Sequence, residues 1–143
     1  DASNRLIIDV GGDSKGALAL KQFEPEIIKA GYDLIFVINP YRTHTKNFSE
    51  IAQMKDKLEA TCGLKVSSIA ANPHLMDTTS PKDCAEGIIL VDNFSKKMDV
   101  PMLFGIAEES ISSDVRKILP DNIPLWILRR EILLPWERGK VRI

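Results

Sequence analysis

Five short apolar runs punctuate the chain: Leu6–Val10, Leu34–Ile38, Val66–Ala71, Met102–Ile106 and Leu125–Leu128. Each is mostly aliphatic or β-branched and none alternates strictly, the pattern of parallel strands covered on both faces. Helical stretches lie between them. Lys15–Ala30 carries Leu18, Phe23, Ile27 and Ile28, and Pro25 is expected to divide it. Ser49–Thr61 sets Ile51, Met54 and Leu58 on one face and ends at Gly63, a natural C-cap. Pro81–Met98 opens with Ser80 as N-cap, Pro81 at the first helical position and Asp83 in the first turn. A short last helix is predicted over Ser113–Leu119, before Pro120. Strands alternating with helices predict an α/β fold built on an open, mostly parallel sheet with helices on both faces.

With 143 residues, 44% of them hydrophobic and 27% charged, the chain suits one globular domain with a core of its own. The net charge of −1 gives no overall attraction to nucleic acid or to an anionic membrane. No apolar run approaches the ~18 residues of a membrane span. The polar start, Asp1 to Arg5, runs straight into an apolar segment, so no signal peptide is expected and a cytoplasmic location is. Cys62 and Cys84 have no partner at metal-ligand spacing and read as reduced core or helix residues. Residues 1–128 form the expected α/β unit. The stretch 129–143 differs, with Arg129, Arg130, Arg138, Lys140 and Arg142 around Leu133, Leu134 and Trp136. It reads as a basic segment over the sheet edge, or as a contact for a partner or membrane surface.

Ligands of open α/β sheets gather at the carboxyl ends of the strands. The first such end is Asp9-Val10-Gly11-Gly12-Asp13-Ser14-Lys15-Gly16. It is not a phosphate loop, because Ala17 and Leu18 stand where Lys and Ser/Thr are needed, and two aspartates would face the phosphates. It suits the acidic partner of such a loop, with Asp9 at Mg²⁺ and Gly11 and Gly12 near the γ-phosphate; a plain strand-to-helix turn fits equally. At the second end Asn39 offers a donor and an acceptor and Arg42 an anion partner, although Pro40 and Asn39 also suit a simple turn. His44 has no neighbouring ligand set, so a metal site there is not expected. At the third, Asn72-Pro73-His74, an Asn amide can read a purine edge or form an Asx turn.

The ordered set Leu6–Asp13, Phe36–Arg42 and Ile69–Leu75 resembles the CobQ/CobB/MinD/ParA nucleotide-binding family over about residues 5 to 110. The resemblance implies a partial P-loop NTPase fold of this type, with ATP and Mg²⁺ as cofactors. Asp9 then supports the metal, Gly11 and Gly12 sense the γ-phosphate, and Asn72 contacts adenine. The chain departs from the family in lacking the P-loop, its lysine and its Ser/Thr. The reading that follows is the carboxy-terminal part of a switch ATPase, inactive alone, which associates with itself or with an amino-terminal half. A non-catalytic binding or regulatory module on the same fold is the alternative, and a relative of ATP-dependent ligases or amidotransferases is a third.

Overall fold

The computed structural model describes residues 6–12, 14–76 and 78–129. The elements run α1 (Ser14–Lys21), α2 (Glu24–Ala30), β1 (Ile35–Ile38), α3 (Phe48–Cys62), β2 (Ser68–Ala71), α4 (Pro81–Met98), β3 (Met102–Glu108), α5 (Glu109–Ile118) and β4 (Leu125–Leu128). The four strands form one all-parallel sheet in the order β1-β2-β3-β4. The α/β class and the parallel sheet are therefore as the apolar pattern predicts. The basic stretch expected over 129–143 lies outside the described residues except for Arg129.

Local chemistry sets the element boundaries. Pro25 sits in the first turn of α2, where its missing N–H costs nothing, and so splits the expected long helix in two. Asn47 caps α3 by accepting from the Glu50 N–H, and Gly63 closes it in the left-handed region at φ 79°. A β-carbon at Gly63 would also lie 2.4 Å from the Glu24 carboxylate. In α4, Ser80 accepts from the Asp83 N–H while the Asp83 carboxylate accepts from the Ser80 N–H, a reciprocal capping box. The Ser80 hydroxyl, which also donates to the Asp83 carboxylate, and then the Ser80 N–H hold that carboxyl below its ordinary range. The last helix begins at Glu109 rather than Ser113, because β3 continues to Glu108 and passes into α5 without a loop.

One contiguous core joins Phe36 and Ile38 of β1, Ile69 and Ala71 of β2 and Ala107 of β3 to the helices. Ile51 comes from α3, Cys84, Ala85, Ile88 and Val91 from α4, and Val115 from α5. Ile38, Ile51, Ile69, Ile88 and Val91 are fully buried, each burial stabilising by about 1.5–3 kcal/mol. The α3, α4 and α5 crossovers thus cover a single face of the sheet. This corrects the expectation of helices on both faces, and the reason is topological. Crossovers of one hand that step steadily in one direction place every helix on the same side; covering the other side requires a reversal of strand order. Alternation and register place Ile35, Val37, Ala70, Phe104, Ile106 and Trp126 on the opposite face.

The first predicted strand does not form. Leu6 to Val10 belongs to no sheet, and Leu6 and Ile7 are 83% and 92% exposed. The cause lies downstream, where α1 docks on α3. Val10 joins a second small core of Ala17, Leu20, Cys62 and Leu64, with Leu34, Ile27 and Leu58 around it. Leu34 leads into β1, and Cys62 and Leu64 lie between the end of α3 and β2, so this cluster sits at the amino ends of the strands. Val10 is held there, while Leu6, Ile7 and Ile8 stay exposed. Among the described residues no helix is long and apolar enough to cross a membrane.

Candidate functional site

The carboxyl ends of β1, β2 and β3 build one polar rim. After β1 the chain turns through Asn39-Pro40-Tyr41-Arg42, and after β2 through Asn72-Pro73-His74. Asn39 fastens the two loops. Its Nδ2 donates to the His74 carbonyl at 2.9 Å, and its Oδ1 accepts from the Tyr41 N–H at 3.0 Å and from the His74 N–H at 3.4 Å. Only one orientation of the carboxamide serves two donors and one acceptor in this way. The buried Thr45 hydroxyl then donates to the Asn39 carbonyl, closing the turn. Asn39 is committed to the loop, which favours its turn role over ligand contact. Arg42 is exposed beside it, with its backbone N–H bonded to the Asn39 carbonyl.

The second loop is pressed against α4. Gly87 makes this possible, since a β-carbon there would lie 2.5 Å from Pro73 and 3.2 Å from the Tyr41 ring. The Tyr41 hydroxyl reaches the same helix and donates to the Asp83 carbonyl at 2.5 Å. Burial, followed by the nearby Asp83 and Glu86 carboxylates, raises the Tyr41 hydroxyl above its ordinary range, so it remains a donor. Past His74 the loop tightens: the Leu75 N–H donates to Thr79 Oγ1, the Met76 N–H to His74 Nδ1, and Met76 adopts φ 57°. Because His74 Nδ1 accepts, the neutral ring carries its proton on Nε2.

Asn72 differs from Asn39. Its backbone N–H donates to the Ile38 carbonyl, continuing the β1–β2 ladder, while its half-buried side chain has no hydrogen-bond partner among the described residues. It lines a cavity of about 20 Å³ with Pro73, His74, Thr79, Cys84 and Glu108 among its walls, enough for roughly one water molecule. The Cys84 thiol donates to the Ile106 carbonyl at 3.5 Å, and burial pushes it up to about 11, so it is a packed hydrophobe and not a nucleophile.

The rim therefore unites Asn39, Arg42 and Asn72 but not Asp9, Gly11 and Gly12. Those three lie at the amino ends of the strands with Val10, the opposite rim from Asn72. The expected convergence of Asp9 with the two asparagines is not found, because the strand that would carry Asp9 to the carboxyl rim does not form. Among the described residues no group of three His, Cys, Asp or Glu could hold a metal ion. Sequence reasoning missed Thr79 and Cys84 as walls of the cavity and Tyr41 and Thr45 as supports of the loop. The signal for Tyr41 and Thr45 was their spacing after Asn39 in a turn that must satisfy its own backbone. No protein family, curated protein or solved structure matches the chain.

Proposed function

We propose that this chain is the carboxy-terminal part of an ATP-binding switch protein of the MinD/ParA kind, to which it contributes the base-contacting rim. The observation that carries the reading is the Asn72 carboxamide, without a hydrogen-bond partner among the described residues, at the carboxyl end of an inner parallel strand. An amide there can donate to one atom of a purine edge and accept from the next. The base rests against the mouth of the cavity, since the cavity itself holds only about one water. Ligands of open parallel sheets bind at the carboxyl ends of the strands, and Asn72 stands at that end of β2. Phosphate- and Mg²⁺-binding groups then come from outside the described residues, and no hydrolytic step is assigned to this chain.

Amide chemical shifts in the ¹⁵N-labelled chain test this. Millimolar AMP is expected to move the amides of Asn72, His74, Thr79 and Glu108, and Asn72→Ala to abolish the effect. ATP should bind no more tightly than AMP. The absence of shifts at this rim, or ATP binding much tighter than AMP, overturns the proposal. The placement of Asp9 on the opposite rim favours a second reading, a non-catalytic binding or regulatory module. Under that reading the rim binds without responding to Mg²⁺, and no nucleotide is hydrolysed.

A further inference from the structure

Among the described residues the four strands hold one charged side chain, Glu108, at the carboxyl end of the inner strand β3. Taking a carboxylate partly out of water costs free energy unless a partner compensates. Glu108 is half-buried, yet it makes no side-chain hydrogen bond or ion pair among the described residues and does not cap α5. The fold of those residues leaves its acceptors unused.

Its position puts it beside Asn72. Ala71 pairs with Gly105, so Asn72 stands abreast of Ile106 and Glu108 lies two residues further on. Side chains alternate along a strand, so Asn72 and Glu108 share a face of the sheet. One strand spacing and two residues separate their α-carbons by about 8 Å. Both line the same small cavity, together with His74 and Thr79. Thr79 is committed to its loop, since its hydroxyl accepts from the Leu75 N–H and donates to the Met76 carbonyl. His74 Nδ1 is taken by the Met76 N–H. The Asn72 carboxamide, the His74 Nε2–H and the Glu108 carboxylate are what this wall can offer a ligand.

These groups are not equivalent. A carboxamide can donate or accept and an imidazole N–H donates, but a carboxylate only accepts. A ligand edge that lies across the wall must therefore turn a donor toward Glu108 and an acceptor toward Asn72 Nδ2. Adenine carries that pair, an N6 amino donor beside a ring-nitrogen acceptor. A purine without the amino group leaves the carboxylate desolvated and unpaired, and a carbonyl at the same carbon sets two acceptors against each other. We propose that Glu108 is a specificity-determining residue of the rim, which accepts from the N6 amino group of adenine and selects against purines that lack it. The inference rests on the reading of this rim as base-contacting and names the group of the base that is selected.

Amide-shift titrations of the ¹⁵N-labelled chain with AMP, purine riboside 5′-monophosphate and GMP provide the test. The purine riboside nucleotide differs from AMP only in lacking the amino group. AMP is expected to bind at least about tenfold more tightly, the lower end for a hydrogen bond to a charged group. Glu108→Ala should lower AMP affinity to that of the purine riboside nucleotide and leave the latter unchanged, with unchanged circular dichroism. Glu108→Gln, whose side-chain carbonyl still accepts, should keep part of the preference. If AMP and the purine riboside nucleotide bind the parent chain equally, or Glu108→Ala weakens both alike, the inference falls while the base site stands. GMP binding more tightly than AMP also overturns it, since a carboxylate can accept from the N1–H and the 2-amino group of guanine together. If no nucleotide moves the rim amides, the base-contacting reading fails and this inference with it.

Discussion

Replacing Asn39 by Ala removes a side chain that holds two loops together without any ligand. Three hydrogen bonds are lost: to the His74 carbonyl at 2.9 Å, from the Tyr41 N–H at 3.0 Å and from the His74 N–H at 3.4 Å. An ordinary net contribution is about 0.5–1.5 kcal/mol per bond, and the longest of the three lies at the bottom of that range. The site is half-buried, so water can reach some of the orphaned groups and the full desolvation cost is not incurred. A loss of roughly 2–3 kcal/mol is expected, which for a chain of this size lowers Tm by about 6–12 °C. Urea unfolding followed by circular dichroism gives the value, with the m-value unchanged if the fold is intact. Asn39→Asp separates the parts, since it keeps acceptors for the two N–H groups but sets a carboxylate oxygen against the His74 carbonyl. It should also destabilise, and less at acidic pH where the carboxyl carries a proton. If Asn39→Ala stays within about 0.5 kcal/mol of the parent chain, the ordinary range for surface changes, the clamp is unimportant and Asn39 returns to the ligand-contact candidates.

The buried Glu59 carboxylate accepts from Lys65 Nζ at 2.7 Å and the Val66 N–H at 2.9 Å, and pairs with Lys55 at 3.2 Å. Burial alone would raise this carboxyl, but those bonds prevail and hold it below the ordinary range. Its folded value is thus the lower one, so its stabilisation is complete above the unfolded value of ~4.3 and is lost as pH falls through the folded value; stability curves from pH 7 to 3 should be flatter for Glu59→Gln. Cys84, buried with its thiol pushed up to about 11, is expected to resist a thiol reagent at pH 8 until urea unfolds the chain, and rapid labelling of the native protein would contradict its packing. Gly87→Ala sets a methyl group 2.5 Å from Pro73 and should cost about 1–3 kcal/mol by overpacking, with amide shifts reaching Asn72 and His74.

Much of the fold could be read from the sequence because its signals were local. Ser80, Pro81 and Asp83 announce the start of α4, Gly63 ends α3, and Pro25 separates α1 from α2, each through a single backbone group. Leu6–Val10 shows the limit of such reasoning. Its composition suits a buried strand, but a strand is defined by its neighbour, and Leu6 to Val10 has none in the described residues. Helix placement was equally non-local, since amphipathic patterns reveal that α3, α4 and α5 bury a face but not that strand order sends all three to one side. At the rim, both asparagines follow apolar strands and precede proline, so they look alike in sequence. Their difference lies in whether the His74 backbone comes within reach of the side chain, as it does for Asn39.

The steady β1-β2-β3-β4 order also governs how the chain folds. Every strand pairs with the one next to it in sequence, so each β-α-β unit can form on its predecessor, and no pairing must wait for the two ends of the chain to meet. Contacts of short sequence separation impose small loop-closure costs and favour fast folding. Such a sheet resembles a stack of repeats more than a doubly wound domain, with protection graded from the middle outward. Amide exchange should be slowest at Ile69, Ala70 and Ala71 in β2, where all four residues are buried. It should quicken toward β4, whose Trp126, Ile127 and Leu128 are exposed. The outermost strands can fray while β2 and β3 persist.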